Sequence, residues 1–239
     1  VNQFTRRPRR RHGAGARLGT FAATAALSAL SLAAPVAAQD LADFDYENLS
    51  FRGVAVEWGY LWPSKVETDP TFGVRFDLGY LGPSVRLTPS ITYWESQMTT
   101  AEVRTLEARV EELANRGRPV GSEPVTIDLG RIMRRDLALG LDGHVVWSIP
   151  LGLLSYAGAG VSAHLLNGSG EAVDGTFVED LLDSVSAGIN LHAGLEYPVN
   201  SRLRFYTSGR HEWLGDLRWF ELRVGTQVMF GPSLPGELR

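Results

Sequence analysis

The sequence has no cysteine among its 239 residues. That excludes a disulfide framework, a thiolate metal site and a cysteine nucleophile. It is also poor in long apolar runs. Mean hydropathy lies close to zero, so no set of spanning helices is concealed in the average. A membrane protein of this composition has to alternate apolar with polar residues, as barrel strands do. Acidic residues are missing from the first 38 positions, which carry Arg6, Arg7, Arg9, Arg10, Arg11 and Arg17 instead.

That basic stretch is followed by an Ala/Leu-rich run from Leu18 to Ala34 and then by Pro35-Val36-Ala37-Ala38-Gln39. Small residues at Val36 and Ala38 fit a signal-peptidase site, which predicts a signal peptide over 1–38 with the cut before Gln39. Arg6-Arg7 is followed by Pro8 and Arg9, not by the residues a twin-arginine export motif wants. Removing the six arginines takes the net charge from −4 to −10. A chain this acidic is a poor partner for nucleic acid. The expected layout is then a periplasmic linker over 39–48, a barrel over 49–231 and a short tail over 232–239.

From Leu49 onward the apolar period is two, the signature of strands. Phe72, Val74, Phe76, Leu78 and Tyr80 alternate with Gly73, Arg75, Asp77 and Gly79. Val54, Val56, Trp58, Tyr60 and Trp62 alternate with Gly53, Ala55, Glu57, Gly59 and Leu61. Six further stretches read the same way, led by Val85, Leu137, Ala157, Val185, Leu203 and Phe220. The prediction is an all-β fold, an eight-stranded antiparallel up-and-down β-barrel crossing a membrane, with a helical extracellular loop.

The apolar face is continuous and bulky, whereas the other mixes glycine with charge. Glycines suit the inside of a narrow barrel, and aromatics near strand ends suit the two interfaces of a bilayer. The expected girdle is Trp58, Tyr60, Trp62, Tyr80, Tyr93, Trp147, Tyr197, Phe220 and Phe230. Connections at Gly82-Pro83, Pro150-Leu151-Gly152 and Asn200-Ser201 are short and of turn chemistry. They alternate with longer ones at about 63–70, 96–134 and 167–184 and with a shorter one near Gly215. Short turns belong to the periplasmic side of such barrels and long loops to the outside, which predicts that both termini are periplasmic.

The alternation and the loop asymmetry resemble the small outer-membrane β-barrels of the OmpA/OmpX type, over about residues 49 to 231. The final strand adds a local motif. Arg223, Gly225, Val228 and Phe230 look like the β-signal of that family, although Gly231 to Arg239 follow where the aromatic is often last. The resemblance implies outer-membrane lipid as surroundings, with periplasmic chaperones and the barrel-assembly machinery as partners during biogenesis. Only nine residues follow Phe230, so no peptidoglycan-binding domain is expected.

Residues 100–116 are patterned as an amphipathic helix. Thr99 and Glu102 fit a capping box, Val103, Leu106, Val110 and Leu113 are spaced three, four, three, and Gly117 suits the C′ position. Glu112 and Arg116 form an i,i+4 pair. About 16 residues make a helix of roughly 24 Å. It either folds onto the neighbouring segment 120–129 or serves as an extracellular docking or self-association element. A second, acidic helical piece is expected over 177–183, packed against the first or holding a cation weakly.

The inward positions hold both signs of charge. The expected lumen network is Glu57, Arg75, Asp77, Arg86, Asp136, Asp142, His144, His192, Glu196, Arg204, Arg210, Glu221 and Arg223. In an eight-stranded barrel such groups fill the interior and have to pair. His144, His164 and His192 also face inward. Residue counts from the short turns put His164 too high to share an ion with the others, and the strand spacing puts His144 and His192, on opposite sides of the fifth strand, about 9–10 Å apart. No metal site or cofactor is therefore expected, and the histidines are taken as hydrogen-bonding members of the network. Catalysis would need Ser, His and an acid in reach. Ser162 with His164 faces away from lipid, and Ser208 and His211 fall on opposite faces. The function expected is non-enzymatic, a plugged barrel that displays its loops. The alternatives are a narrow passive channel for ions or small solutes and a lipid-modifying outer-membrane enzyme.

Overall fold

The computed structural model describes residues 49–230 apart from 83, 117, 120 and 216. The expected signal peptide, linker, C-terminal tail and C′ glycine lie outside the described residues. Eight strands form a closed barrel in which each pairs with its chain neighbours and the last with the first. They are β1 (Leu49–Pro63), β2 (Asp69–Gly79), β3 (Val85–Gln97), β4 (Met133–Ile149), β5 (Leu153–Ser169), β6 (Ser184–Pro198), β7 (Leu203–Leu214) and β8 (Leu217–Met229). Every ladder is antiparallel. This is the up-and-down barrel that the eight alternating segments predict.

The alternation sets the chemistry of the two faces. Val56, Phe72, Leu139, Val161, Ile189 and Val224 are more than half exposed on the outside. Two aromatic belts edge this band. Tyr60, Trp62, Tyr93 and Phe220 lie toward the long-loop end, with Trp62 and Phe220 stacked at 6.1 Å. Tyr197, Phe205 and Phe230 lie toward the short-turn end, where Phe230 stacks on Phe51 at 5.6 Å. Trp58 is outward in the upper wall and Trp147 is half-buried near the short turns. Beside Tyr93, the Glu95–Arg135 pair at 3.1 Å brings charge onto the outer face at the long-loop rim. Water would not tolerate so wide an apolar surface, and hydrocarbon suits it.

Tyr80 departs from the expected girdle. Gly79 takes φ +78°, which breaks the alternation at the end of β2. Tyr80 therefore turns inward and is buried, with the Arg52 guanidinium 5.7 Å from its ring centre. It closes the short-turn end of the lumen and does not face lipid.

Inside, two tyrosines lie against glycines directly across the ladder. Tyr206 is paired with Gly225 and Tyr156 with Gly194, and a Cβ on either glycine would collide with the facing ring. The turn between β4 and β5 is tight, with positive φ at both Leu151 and Gly152. Such left-handed backbone suits Asn or Gly better than Leu.

The long-loop end is organised by two helices. Helix α1 (Thr100–Asn115) starts at Thr99, whose side chain accepts from the Glu102 amide at 3.4 Å. Only this half of the expected capping box is seen, since the Glu102 carboxylate pairs with Lys65 at 3.2 Å. Arg116 ends the helix as its C-cap and pairs with Glu112 at 2.9 Å. Helix α2 (Phe177–Leu182) is capped by Thr176. The segment after α1 runs back along it. Glu107 accepts from the Leu129 amide at 2.9 Å, Glu111 from the Ile127 amide at 2.8 Å and Asn115 from the Val125 amide at 2.9 Å. Acceptors one helical turn apart thus meet amides two residues apart in the extended segment.

Candidate functional site: the lumen and its cap

Most of the expected lumen residues belong to one buried set of ion pairs. Glu196 takes both Arg86 terminal nitrogens, one at 2.9 Å and the other closer, with Arg75 at 3.4 Å and Arg204 at 3.6 Å. Arg75 also lies 3.8 Å over the Tyr206 ring and donates to the Tyr156 hydroxyl at 3.3 Å. Asp77 accepts from Gln227 at 3.0 Å and lies 3.8 Å from Arg86. Further up, Arg223 binds Glu57 and Glu221, each at 2.6 Å. Arg210 binds Asp142 and Glu212, each at 2.7 Å. All these groups are buried. Removing one partner from such a set leaves an uncompensated charge, which costs about 3–5 kcal/mol.

Asp136 is engaged elsewhere. Its Oδ2 is 2.7 Å from His164 Nδ1, and His164 Nε2 is 2.9 Å from Ser162 Oγ. On distances alone this is a Ser-His-Asp arrangement. Its hydrogen bonds point the other way. Ser162 donates its one proton to Glu212 at 2.5 Å, so its oxygen accepts from Nε2–H and the ring keeps no lone pair there to act as a base. The void beside it is about 10 Å³, far below the ~300 Å³ of a small-molecule pocket. Trp219 closes it from above, 5.6 Å from the His164 ring. Ser208 lies inward and His211 outward, where His211 meets the lipid-side Trp213 ring at 4.3 Å. The geometry builds a structural clasp, with no room for an acyl group.

The expected 9–10 Å separation of His144 and His192 is corrected. Their ring centres are 4.6 Å apart. The strands are staggered, as closure of a barrel requires, so His144, Gly158 and His192 occupy one rung across β4, β5 and β6. Gly158 has no side chain to separate them. One ligand atom from each of Asp142, His144 and His192 lies within 4.8 Å of the others.

Sequence reading missed the upper closure. Leu61, Trp94, Leu166, Leu214 and Trp219 sit on inward positions near the long-loop end. They join Val66, Met98, Val103, Val110, Leu129, Ile132, Val173, Val178, Leu182 and Leu217 in a buried apolar cluster. Each of the four long-end connections or its flanking residues contributes, and both helices do. Apolar residues at inward positions of the last strand turns were the available signal. Which loop would cover them depends on contacts distant in sequence.

No protein-family model matches the chain, and no curated protein does. Among solved structures, neisserial surface protein A aligns with a TM-score of 0.50 at 16% identity, over 77% of this chain and 100% of that one. The fold is that of a small outer-membrane β-barrel. Ail, the attachment invasion locus protein of Yersinia pestis, covers 76% of this chain and 100% of its own at 11% identity, with a TM-score of 0.45. The N-terminal β-barrel domain of Pseudomonas aeruginosa OprF covers 74% and 97% at 15% identity and a TM-score of 0.45. Identities this low speak to architecture and leave ligands and partners to each protein.

Proposed function

We propose that the chain is a non-enzymatic integral outer-membrane protein whose closed barrel serves as a rigid base for the structure built by its long loops. The observation that carries this reading is the double closure of the lumen. Ion pairs fill its length, and an apolar cap seats over them. A conduit would need a continuous wet path, and a lipid-modifying enzyme would need its reactive groups on the lipid side. The Ser162 and His164 groups face inward, under Trp219.

The short-turn end is assigned to the periplasm and the α1 end to the cell exterior. Loop asymmetry and the even strand number support this orientation. The outer surface of α1 and α2 leaves Leu113, Phe177 and Leu181 at least half exposed, which suits an extracellular partner or a second copy. The closing strand fits recognition by the assembly machinery. Arg223 and Gly225 serve the inside, and Val228 and Phe230 present an apolar outer edge.

Two measurements test the reading. In planar bilayers the purified protein should show no resolvable openings, and steady unitary currents would overturn the plugged lumen. The cysteine-free chain also permits single-cysteine mapping. Ala108→Cys on α1 should react with a membrane-impermeant maleimide on intact cells, and Leu151→Cys only after lysis. The reverse pattern would invert the orientation.

A further inference from the structure

We propose that Asp142, His144 and His192 form a binding site for one late first-row divalent cation, of which zinc is the reference, inside the barrel wall. The lone-pair positions follow from the hydrogen bonds. A carboxylate only accepts, so the Asn190 amide nitrogen faces Asp142 Oδ1 at 3.0 Å. The Asn190 oxygen therefore faces His192 Nδ1 at 2.7 Å and takes its proton. That fixes the tautomer and leaves a lone pair on His192 Nε2. This atom is buried and has no hydrogen-bond partner, in a side chain only 8% exposed.

His144 is set by the same logic. Arg86 can only donate, so Nδ1, 3.2 Å from its guanidinium, carries a lone pair, while Nε2–H faces Thr88 Oγ1 at 3.1 Å. Two imidazoles with defined lone pairs and a carboxylate are a donor set suited to zinc or copper. Hydrogen bonds from the far ring nitrogens to Asn190 and Thr88 supply the outer support such ligands use.

The wall itself is shaped for this. Gly158 and Gly160 of β5 form a window between β4 and β6. A Cβ on Gly158 would sit 2.7 Å from His192 Nε2, and one on Gly160 would run into Asp142. Donors on a tetrahedral zinc lie about 3.4 Å apart, given bonds of ~2.1 Å, so the trio has to close by at most about 1.4 Å. An adjoining void of about 20 Å³ accommodates a water as fourth ligand. The two guanidiniums touching the ligands each keep another carboxylate. Arg86 retains Glu196, and Arg210 retains Glu212. The ion then clips β4 to β6 across β5.

The test uses protein without a polyhistidine tag, extracted from membranes, unfolded in chelator and refolded in detergent with or without Zn²⁺. Refolding with Zn²⁺ should leave about one zinc per chain after desalting and raise the temperature at which the folded gel band is lost. Cu²⁺ in place of zinc should give an electron paramagnetic resonance spectrum with coupling to two nitrogens. His192→Asn should weaken binding at least tenfold, and the lipid-side His211→Asn should leave it unchanged. Wild-type protein that retains no zinc, meaning the void holds water only, would overturn the site. So would a copper spectrum without nitrogen coupling, which needs no variant to fold, or binding that survives in His192→Asn.

Discussion

The protein buries two cores of opposite character in one tube. Between the aromatic belts the interior is ionic, with Glu196, Arg86, Arg75, Glu57 and Arg223 packed side by side. Above them, at the long-loop end, Trp94, Val110, Ile132, Leu182 and Trp219 make a core like that of a water-soluble domain. The difference teaches that solvent decides what a core is for. Inside a bilayer, moving an apolar side chain from lipid to lumen gains almost nothing, because hydrocarbon is already apolar. Polar contacts have to specify the interior there. Beyond the bilayer the same chain meets water, and burying leucine and tryptophan is again favourable by about 25 cal/mol per Å².

The contrast can be broken at either core. Glu196→Gln, which withdraws the charge shared by three guanidiniums, should cost about 3–5 kcal/mol. It should abolish the heat-modifiable folded band or shift the urea midpoint in vesicles strongly downward. Val110→Ala in the cap should cost about 2 kcal/mol. Hydrogen exchange should report that loss in α1 and in 125–129 and leave the strand amides between the belts protected. A barrel that loosens throughout would show that the two cores fold as one.

Two smaller changes sharpen the boundary. Glu111→Ala removes the acceptor of the Ile127 amide and should weaken the strap on α1 by about 1.5 kcal/mol, visible as faster exchange at that amide. Leu151→Asn relieves a positive φ that leucine bears poorly and should stabilise the barrel by about 1 kcal/mol. A change confined to the cap in that variant would contradict the separation of the two ends.

How much of this was legible in the sequence varies with the range of the interaction. Alternation is local, so the strands and the inward sides of Glu57, Arg75 and Arg223 could be read directly. Tyr80 was misread because one left-handed glycine beside it flips the alternation. The histidine spacing was misread because strand spacing measures backbones, whereas the side chains of β4 and β6 converge inside the narrow lumen and Gly158 places nothing between them. The cap was invisible for a further reason. Val66, Leu129 and Val173 come from three separate loops, and no single segment shows that they meet.

The cap has a consequence for how long the protein stays folded. In the orientation we propose, the chain between Gln97 and Met133 has to cross the bilayer as the barrel inserts, and it can pack on its neighbours only once it is on the far side. Before withdrawing, it would have to dissolve that packing and drag the Glu107, Glu111 and Arg116 charges back through hydrocarbon. The loops therefore act as a toggle bolt, threaded through narrow and held by being wide on the other side. Retention in the membrane becomes a matter of unfolding rate as much as of equilibrium stability.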